Sequence, residues 1–247
     1  MKLSGNTILI TGGASGIGLA LALRFLERDN EVIVCGRRVD KLREAKEAHP
    51  QLHTHAADVA TPSGRIELSR WASAEFPSLN VLVNNAGIQR RVDLTASEDW
   101  ERTRTEIMTN LDAPIHLTQL FYPQLAAQER SAILNVTSGL SFVPLANVPI
   151  YCATKAALHS FTMSLRWQLS DSPVEVIEII PPAVDTDLQA PGLHTFGVNV
   201  DEFADAVFEG LESGEEEIAY GTAAECCNAS REKLDAIFEH MNGTMPH

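Results

Sequence analysis

Short apolar runs recur along this chain, and most are followed by a longer stretch with apolar residues at helical spacing. The runs are TILIT near residue 8, EVIVC near 33, LHTHA near 54, NVLVN near 82, AILNV near 134, VEVIEII near 177 and EIAY near 218. Segments such as LALALRFLER and HLTQLFYPQLAAQ lie between them. This alternation predicts an α/β fold: a doubly wound, mainly parallel seven-stranded sheet with helices on both faces. Crossovers between parallel strands are expected to be right-handed. No internal repeat, low-complexity tract or linker divides the chain, so residues 1–247 are read as one domain.

Composition narrows the function. Nineteen Lys and Arg stand against 33 Asp and Glu, a formal charge of -14. That balance argues against nucleic acid or an anionic membrane as partner. The opening MKLSGNTILITGG has too short an apolar run for a signal peptide, and no apolar stretch approaches transmembrane length. Cys35, Cys152, Cys226 and Cys227 show neither a disulfide framework nor metal spacing, which fits reduced thiols in the cytoplasm. The eight histidines form no His-x-x-x-His or Cys/His cluster, and the alternating His53 and His55 read as surface or core residues. No metal site is expected.

The first apolar run leads into GGASGIG and then an apolar helix. A strand, a glycine turn and a helix N-terminus form a Rossmann-type dinucleotide site: backbone N–H groups and the helix dipole meet the pyrophosphate, and side chains on the turn would block it. The spacing from Gly12 to Gly16 to Gly18 is Gly-x-x-x-Gly-x-Gly rather than G-x-G-x-x-G. In such a fold the end of the second strand reads the adenosine ribose. An acid there takes the 2′-hydroxyl, and an arginine accommodates a 2′-phosphate. Here the strand ends in Gly36, Arg37 and Arg38. Planar guanidinium forks suit a phosphate, so NADP(H) is favoured, with NAD(H) possible.

Tyr151 and Lys155 are four residues apart in IYCATKAALHSF, one helical turn, on one helix face. A phenol ordinarily titrates near pH about 10. A fixed ammonium beside it favours the phenolate and brings it toward the range of an acid–base catalyst.

With TGGASGIG at 11–18, NNAG at 84–87, Asn110 in NLDAP, Ser138 in NVTSG and YCATK at 151–155, the chain resembles the short-chain dehydrogenases/reductases over nearly its whole length. VLVNNAGIQR and EIIPPAVDTDL are similar to the DltE-like branch. The resemblance implies an oxidoreductase transferring hydride between a nicotinamide and a carbonyl or alcohol. NAD-linked sugar or steroid dehydrogenases, or a non-catalytic dinucleotide sensor, are the alternatives. It also implies roles. Tyr151 is the proton donor or acceptor. Lys155 holds the nicotinamide ribose and lowers the tyrosine pKa. Ser138 stabilises charge on the substrate oxygen, and Asn110 anchors a water linking Lys155 to solvent. Gly12, Ser15, Gly16, Ile17 and Gly18 bind the pyrophosphate side. Asp58 and Val59 meet the adenine, Asn84, Ala86 and Gly87 line the cofactor, and Pro181, Val184 and Thr186 meet the nicotinamide. One departure is Pro182, where the family has glycine. Proline fixes φ and removes an N–H, which leaves the geometry of that turn open.

For the substrate, Leu140, Phe142, Leu145, Leu188, Leu193 and Phe196 are the candidate apolar lining, with residues 186–200 as a loop that closes over it or simply connects two elements. Such a lining suits a hydrophobic ketone or aldehyde, though the same residues could serve a core or subunit interface. Arg90 and Arg91 are open to an anionic group or to solvent. The resemblance implies a homodimer or homotetramer built on the helices that carry Asn110 and Tyr151.

Overall fold

The computed structural model describes residues 1–96, 99–186, 188, 192 and 195–243. Its strands are β1 (Thr7–Thr11), β2 (Glu31–Gly36), β3 (His53–Ala56), β4 (Leu79–Asn84), β5 (Ser131–Val136), β6 (Val174–Ile180) and β7 (Glu217–Ala219). All seven fall on the apolar runs of the sequence. They form one sheet in the order β3-β2-β1-β4-β5-β6-β7, and every pairing is parallel. The order reverses between β1 and β4, the switch point where doubly wound sheets open a crevice at the carboxyl ends of their strands.

Nine α-helices are described: α1 (Gly16–Leu26), α2 (Val39–Ala48), α3 (Pro62–Glu75), α4 (Trp100–Ile107), α5 (Ala113–Ala126), α6 (Pro149–Gln168), α7 (Val200–Ser213), α8 (Thr222–Cys227) and α9 (Arg231–Gly243). A π-helical turn, Met108–Asp112, joins α4 to α5, and a 3-10 turn, Gly139–Ser141, follows β5.

Strand alternation sorts the core into two layers. Ile8, Ile10, Val32 and Val34 pack with Phe25 of α1 and Phe203 and Phe208 of α7. Leu9, Ile33 and Ile133 pack on the other face with Leu68 of α3 and Leu117 and Phe121 of α5. Strands buried on both sides have no polar face to alternate, which is why they read as continuous apolar runs. Phe25 and Phe208 meet edge to face with centroids 4.7 Å apart. Full burial of such a ring contributes about 1.5–3 kcal/mol.

One row of the sheet breaks the rule. Asn84, Asn135 and Glu178 are register partners across β4, β5 and β6, and all three are buried. Asn84 Nδ2 donates to Asn135 Oδ1 at 2.9 Å, and Asn135 Nδ2 donates to Thr162 on α6 at 2.9 Å. Thr137 donates to Glu178 at 2.6 Å, and His159 of α6 lies 2.9 Å from the same carboxylate. These contacts satisfy most of the row's polar atoms, whose burial would otherwise be costly; Asn84 Oδ1 has no partner among the described residues.

The stretch at 186–200 has its base pinned. Val184 and Val198 form a parallel bridge, and Asp185 N donates to Val198 O at 2.9 Å. A Cβ on Gly197 would lie 2.7 Å from the Val184 carbonyl carbon, so only glycine permits this approach. Asn199 caps α7 through Asp201 N and Glu202 N, so the irregular stretch ends there.

Candidate active site

A cleft of about 570 Å³ opens along the carboxyl ends of the central strands. Its floor is the turn after β1. Gly12 has φ +65° and Gly16 φ +53°, values that an L side chain rarely adopts. A Cβ on Gly18 would stand 2.4 Å from Asn85 Nδ2 and 2.6 Å from Gly12 O. The turn is laced to the end of β4. Thr11 Oγ1 accepts from Asn85 N and Ala86 N at 3.0 Å each, and Asn85 Nδ2 donates to Thr11 O at 2.9 Å. Ser15, Gly16, Ile17 and Gly18 line the cleft at the start of α1, where the first N–H groups have no partner within the helix.

Beside that turn, Arg37 and Arg38 form the wall beyond β2. Arg38 Nη2 donates to Ser15 Oγ at 2.7 Å, across the mouth of the glycine turn. Arg37 Nε lies 3.9 Å from Asp58 Oδ1, with both side chains nearly half exposed. Asp58 also accepts from Ala60 N at 3.0 Å, an Asx turn leading into α3. Ala57 and Val59 line the cleft on either side of it.

The other end is built from α6 and the segments around it. Tyr151, 6% exposed, and Lys155, 3% exposed, both line the cleft. Ser138 is also buried, and its hydroxyl accepts from Leu140 N at 3.1 Å. Asn110 sits fully buried in the π-helical turn, a distortion that recurs at functional sites. Its Oδ1 accepts from Ile88 N at 2.8 Å, and its Nδ2 donates to Ile88 O at 2.7 Å and to Thr154 at 3.2 Å. The asparagine thereby clamps the segment that follows NNAG against α6. A Cβ on Gly87 would be 3.8 Å from Asn110 Oδ1 and 3.9 Å from Lys155 Nζ, so Gly87 separates these two polar atoms.

Electrostatics here differ from the expectation for the tyrosine–lysine pair. Lys155 Nζ donates to Val136 O at 2.6 Å and lies 5.7 Å from the Tyr151 ring centroid. The ammonium meets a carbonyl rather than the phenol. Burial raises the Tyr151 pKa above its ordinary value, opposed by a hydrogen bond with Ser138. Burial also pushes Lys155 down to about 8, opposed by Glu178. Near them, Glu106 of α4 is fully buried with no hydrogen-bond partner on either carboxylate oxygen, and its nearest cation is Arg90 at 3.9 Å. Burial pushes its carboxyl up to about 7, against the pull of that guanidinium.

Several residues fall elsewhere than the sequence predicts. Asn84 lies in the polar row inside the sheet, because strand alternation turns it to the α6 side; its neighbour Asn85 takes the place at the turn. Val184 is buried in the bridge to Val198, while Pro181 and Thr186 line the cleft. Thr186 stands over Gly16, where a Cβ would meet its Cγ2 at 3.2 Å. Pro182 follows a residue already fixed, since Gly139 N donates to Pro181 O at 2.9 Å.

The predicted apolar substrate wall is assembled in part. Leu188 lines the cleft, and Leu140, Leu145 and Leu188 are half-buried and pack against the cluster of Tyr151, Val148 and Cys152. Phe142 tilts against His159 with centroids 4.7 Å apart, and Phe196 is 77% exposed. Leu193 lies outside the described residues. The cleft wall also presents Gln89, Arg90, Arg91, Arg102 and Thr109. Arg102 sits on the polar helix α4, which carries no facing signal in the sequence, and Thr109 lies in the π-helical turn that follows it. Glu106 was signalled by its spacing, one turn before Asn110.

A nicotinamide dinucleotide fits this cleft on the protein's own features. The glycine turn leaves backbone exposed where any Cβ would collide. The cleft's charged lining is five arginines and one lysine, with no acid among the described residues, in a chain of net charge -14.

The comparisons agree with that reading. Residues 6–195 match the short chain dehydrogenase family. The uncharacterized oxidoreductase DltE of Bacillus subtilis (strain 168) is 49% identical over 248 residues, covering 98% of each chain. The NADP-dependent 3-hydroxy acid dehydrogenase YdfG of Escherichia coli (strain K12) is 32% identical over 181 residues, 72% of each chain. Among solved structures, a short chain dehydrogenase from Burkholderia cenocepacia J2315 in complex with NADP superposes over all of both chains with a TM-score of 0.83 and 27% identity. The chain is an oxidoreductase of the short-chain dehydrogenase/reductase family, of its DltE-like kind.

Proposed function

We propose that this chain is an NADP(H)-dependent carbonyl reductase, reversible as an alcohol dehydrogenase. The observation that carries the reading is the meeting of Tyr151, Lys155 and the glycine turn in one cleft, with Ser138 hydrogen-bonded to Tyr151 and Asn110 bonded to Thr154 of α6. When bound, the nicotinamide supplies or accepts the hydride. Gly12, Ser15, Gly16, Ile17 and Gly18 hold the pyrophosphate side, Arg37 and Arg38 the 2′-phosphate, and Ala86, Gly87, Pro181 and Thr186 the nicotinamide side.

Tyr151 gives its hydroxyl proton to the carbonyl oxygen. A phenol held protonated by burial is suited to the reductive direction. Ser138 Oγ donates to the same oxygen and steadies the charge that develops there. Lys155, at about 8, changes protonation close to neutral pH and can return a proton toward Tyr151. Asn110 holds Ile88 and α6 in register, so that both ends of this arrangement keep their spacing.

The chain is further read as cytoplasmic, with its four cysteines as free thiols, and as a homodimer or homotetramer. Met163 and Trp167 on α6, with Ile115 and Tyr122 on α5, leave large apolar surface exposed for subunit contact.

The experiment is a panel of ketones and aldehydes run with NADPH and with NADH. Carbonyl-dependent loss of reduced-cofactor absorbance, faster with NADPH, is expected. Faster turnover of sugar or steroid alcohols with NAD would replace this reading by the NAD-linked one. Tight NADPH binding with no turnover on any member would leave a dinucleotide-binding sensor.

A further inference from the structure

The cleft wall carries more positive charge than a dinucleotide accounts for. Arg37 and Arg38 follow β2 and reach the glycine turn. A second group, Arg90, Arg91 and Arg102, lies at the other end. Two contacts fix it there: Ile88 is clamped by Asn110, and Val92 N donates to Asn147 O at 3.1 Å, two residues before α6. The segment bearing Arg90 and Arg91 thus spans from the π-helical turn to the start of the tyrosine helix. Arg90 and Arg91 follow β4, two strands from β2 and about 10 Å away at ordinary strand spacing, so the two groups serve different parts of a bound molecule.

Within the second group the roles divide. Arg90 Nη1 donates to Arg102 O at 2.6 Å and faces the buried Glu106 carboxylate at 3.9 Å. It is held by the protein and braces α4. Arg91 and Arg102 are exposed and make no ion pair among the described residues. In a chain with 33 acids and 19 bases, two cleft guanidinium groups with no acid partner among the described residues are a provision for an anion.

We infer that Arg91 and Arg102 form an oxyanion-binding subsite, and that the substrate is a carbonyl compound carrying a carboxylate or phosphate. Resting on the carbonyl-reductase reading, this deepens it by naming the substrate class. The arginines grip the remote anionic end and leave the carbonyl to Tyr151 and Ser138, so binding energy far from the reacting carbon serves its orientation.

The test compares acid and neutral forms of the same carbonyl. 4-Oxopentanoate is set against its methyl ester, and hydroxyacetone phosphate against hydroxyacetone. KM is measured with NADPH, and thermal shift is measured with NADP-loaded protein. One anionic member should bind and turn over better than its neutral twin by about ten-fold or more. Whichever is preferred, carboxylate or phosphate, identifies the oxyanion. In Arg102→Gln and Arg91→Gln that anion-to-neutral ratio should fall by about ten-fold, and Arg102→Lys should restore part of it.

Equal binding of both anions and their neutral twins overturns the subsite while leaving the reductase reading intact. So does a loss of NADPH affinity in the variants as large as the loss of anion binding, since the arginines would then belong to the cofactor. Anion-induced thermal shift without turnover keeps the subsite and overturns the reductase reading.

Discussion

At the β2 end of the cleft the wall is made of backbone and of side chains that water reaches. Arg37 and Asp58 are 49% and 43% exposed and 3.9 Å apart. At the β5 end the wall holds Tyr151 at 6% exposure and Lys155 at 3%, backed by Glu106 and Glu178 at 0%. The first end recognises by shape and by charge that stays solvated. The second holds ionisable groups out of water, and three of them titrate far from their ordinary values as a result. A binding surface tolerates exposure, because phosphate contacts need only be complementary. Proton transfer needs groups held in defined protonation states away from bulk water: burial keeps the Tyr151 phenol protonated and brings Lys155 down to about 8. The two ends therefore respond differently to substitution.

The largest separation is expected from Tyr151→Phe. Removing one hydroxyl takes away the proton donor and little else. Turnover on a confirmed carbonyl substrate should fall by about 10²–10⁴-fold. NADPH affinity, measured by fluorescence titration, should change by less than about three-fold. Retained turnover would break the division between the ends, because the chemistry would then reside elsewhere.

A smaller effect probes the cost of the buried end. The folded chain keeps the Glu106 proton until about pH 7, whereas a free glutamic acid releases it near 4.5. The folded state's greater proton affinity stabilises it fully below the lower value, and this contribution is lost as pH rises through about 7. The shift corresponds to about 3 kcal/mol at most. Glu106→Gln imitates the protonated form at every pH. Urea unfolding should therefore show the variant up to about 3 kcal/mol more stable than the parent at pH 8, with the gap shrinking toward pH 5. A gap independent of pH would mean that Glu106 does not titrate in this range.

These two ends also differ in how far the sequence discloses them. All seven strands, the glycine turn and the arginines after β2 are legible, because each depends on local pattern: apolar runs, glycine spacing, a residue directly after a strand. Tyr151 and Lys155 are legible as a helical pair, yet the direction of their shifts is not. It depends on Val136 O accepting the ammonium and on neighbours that close off water. Asn84 was misplaced because NNAG offers two adjacent asparagines, and only the three-strand polar row shows which one faces inward. Glu178 is visible as the second acid in VEVIEII, but its partners His159 and Thr137 come from α6 and from the end of β5. The apolar residues near the substrate end are legible in part: Leu140, Leu145 and Leu188 meet at Tyr151, Phe142 turns to His159, and Arg102 arrives from a helix with no strong facing signal.

The smallest effect belongs to the exposed end. Arg37→Ala removes a guanidinium that is half in water and whose pairing with Asp58 is loose, so folding stability should change by less than about 1 kcal/mol. Cofactor choice should move further. A charge-assisted contact to the 2′-phosphate contributes about 1.5–3 kcal/mol, so NADPH affinity should drop by about 10–100-fold while NADH affinity stays within a few-fold. Arg38 remains on Ser15 at the glycine turn, which keeps the loss from being complete. Titration of both cofactors against parent and variant reads the ratio directly. If NADPH and NADH weaken together, Arg37 supports the adenosine site as a whole and does not read the phosphate. If neither weakens, Arg38 alone carries the discrimination, and the solvated wall is even more tolerant of change than its exposure implies.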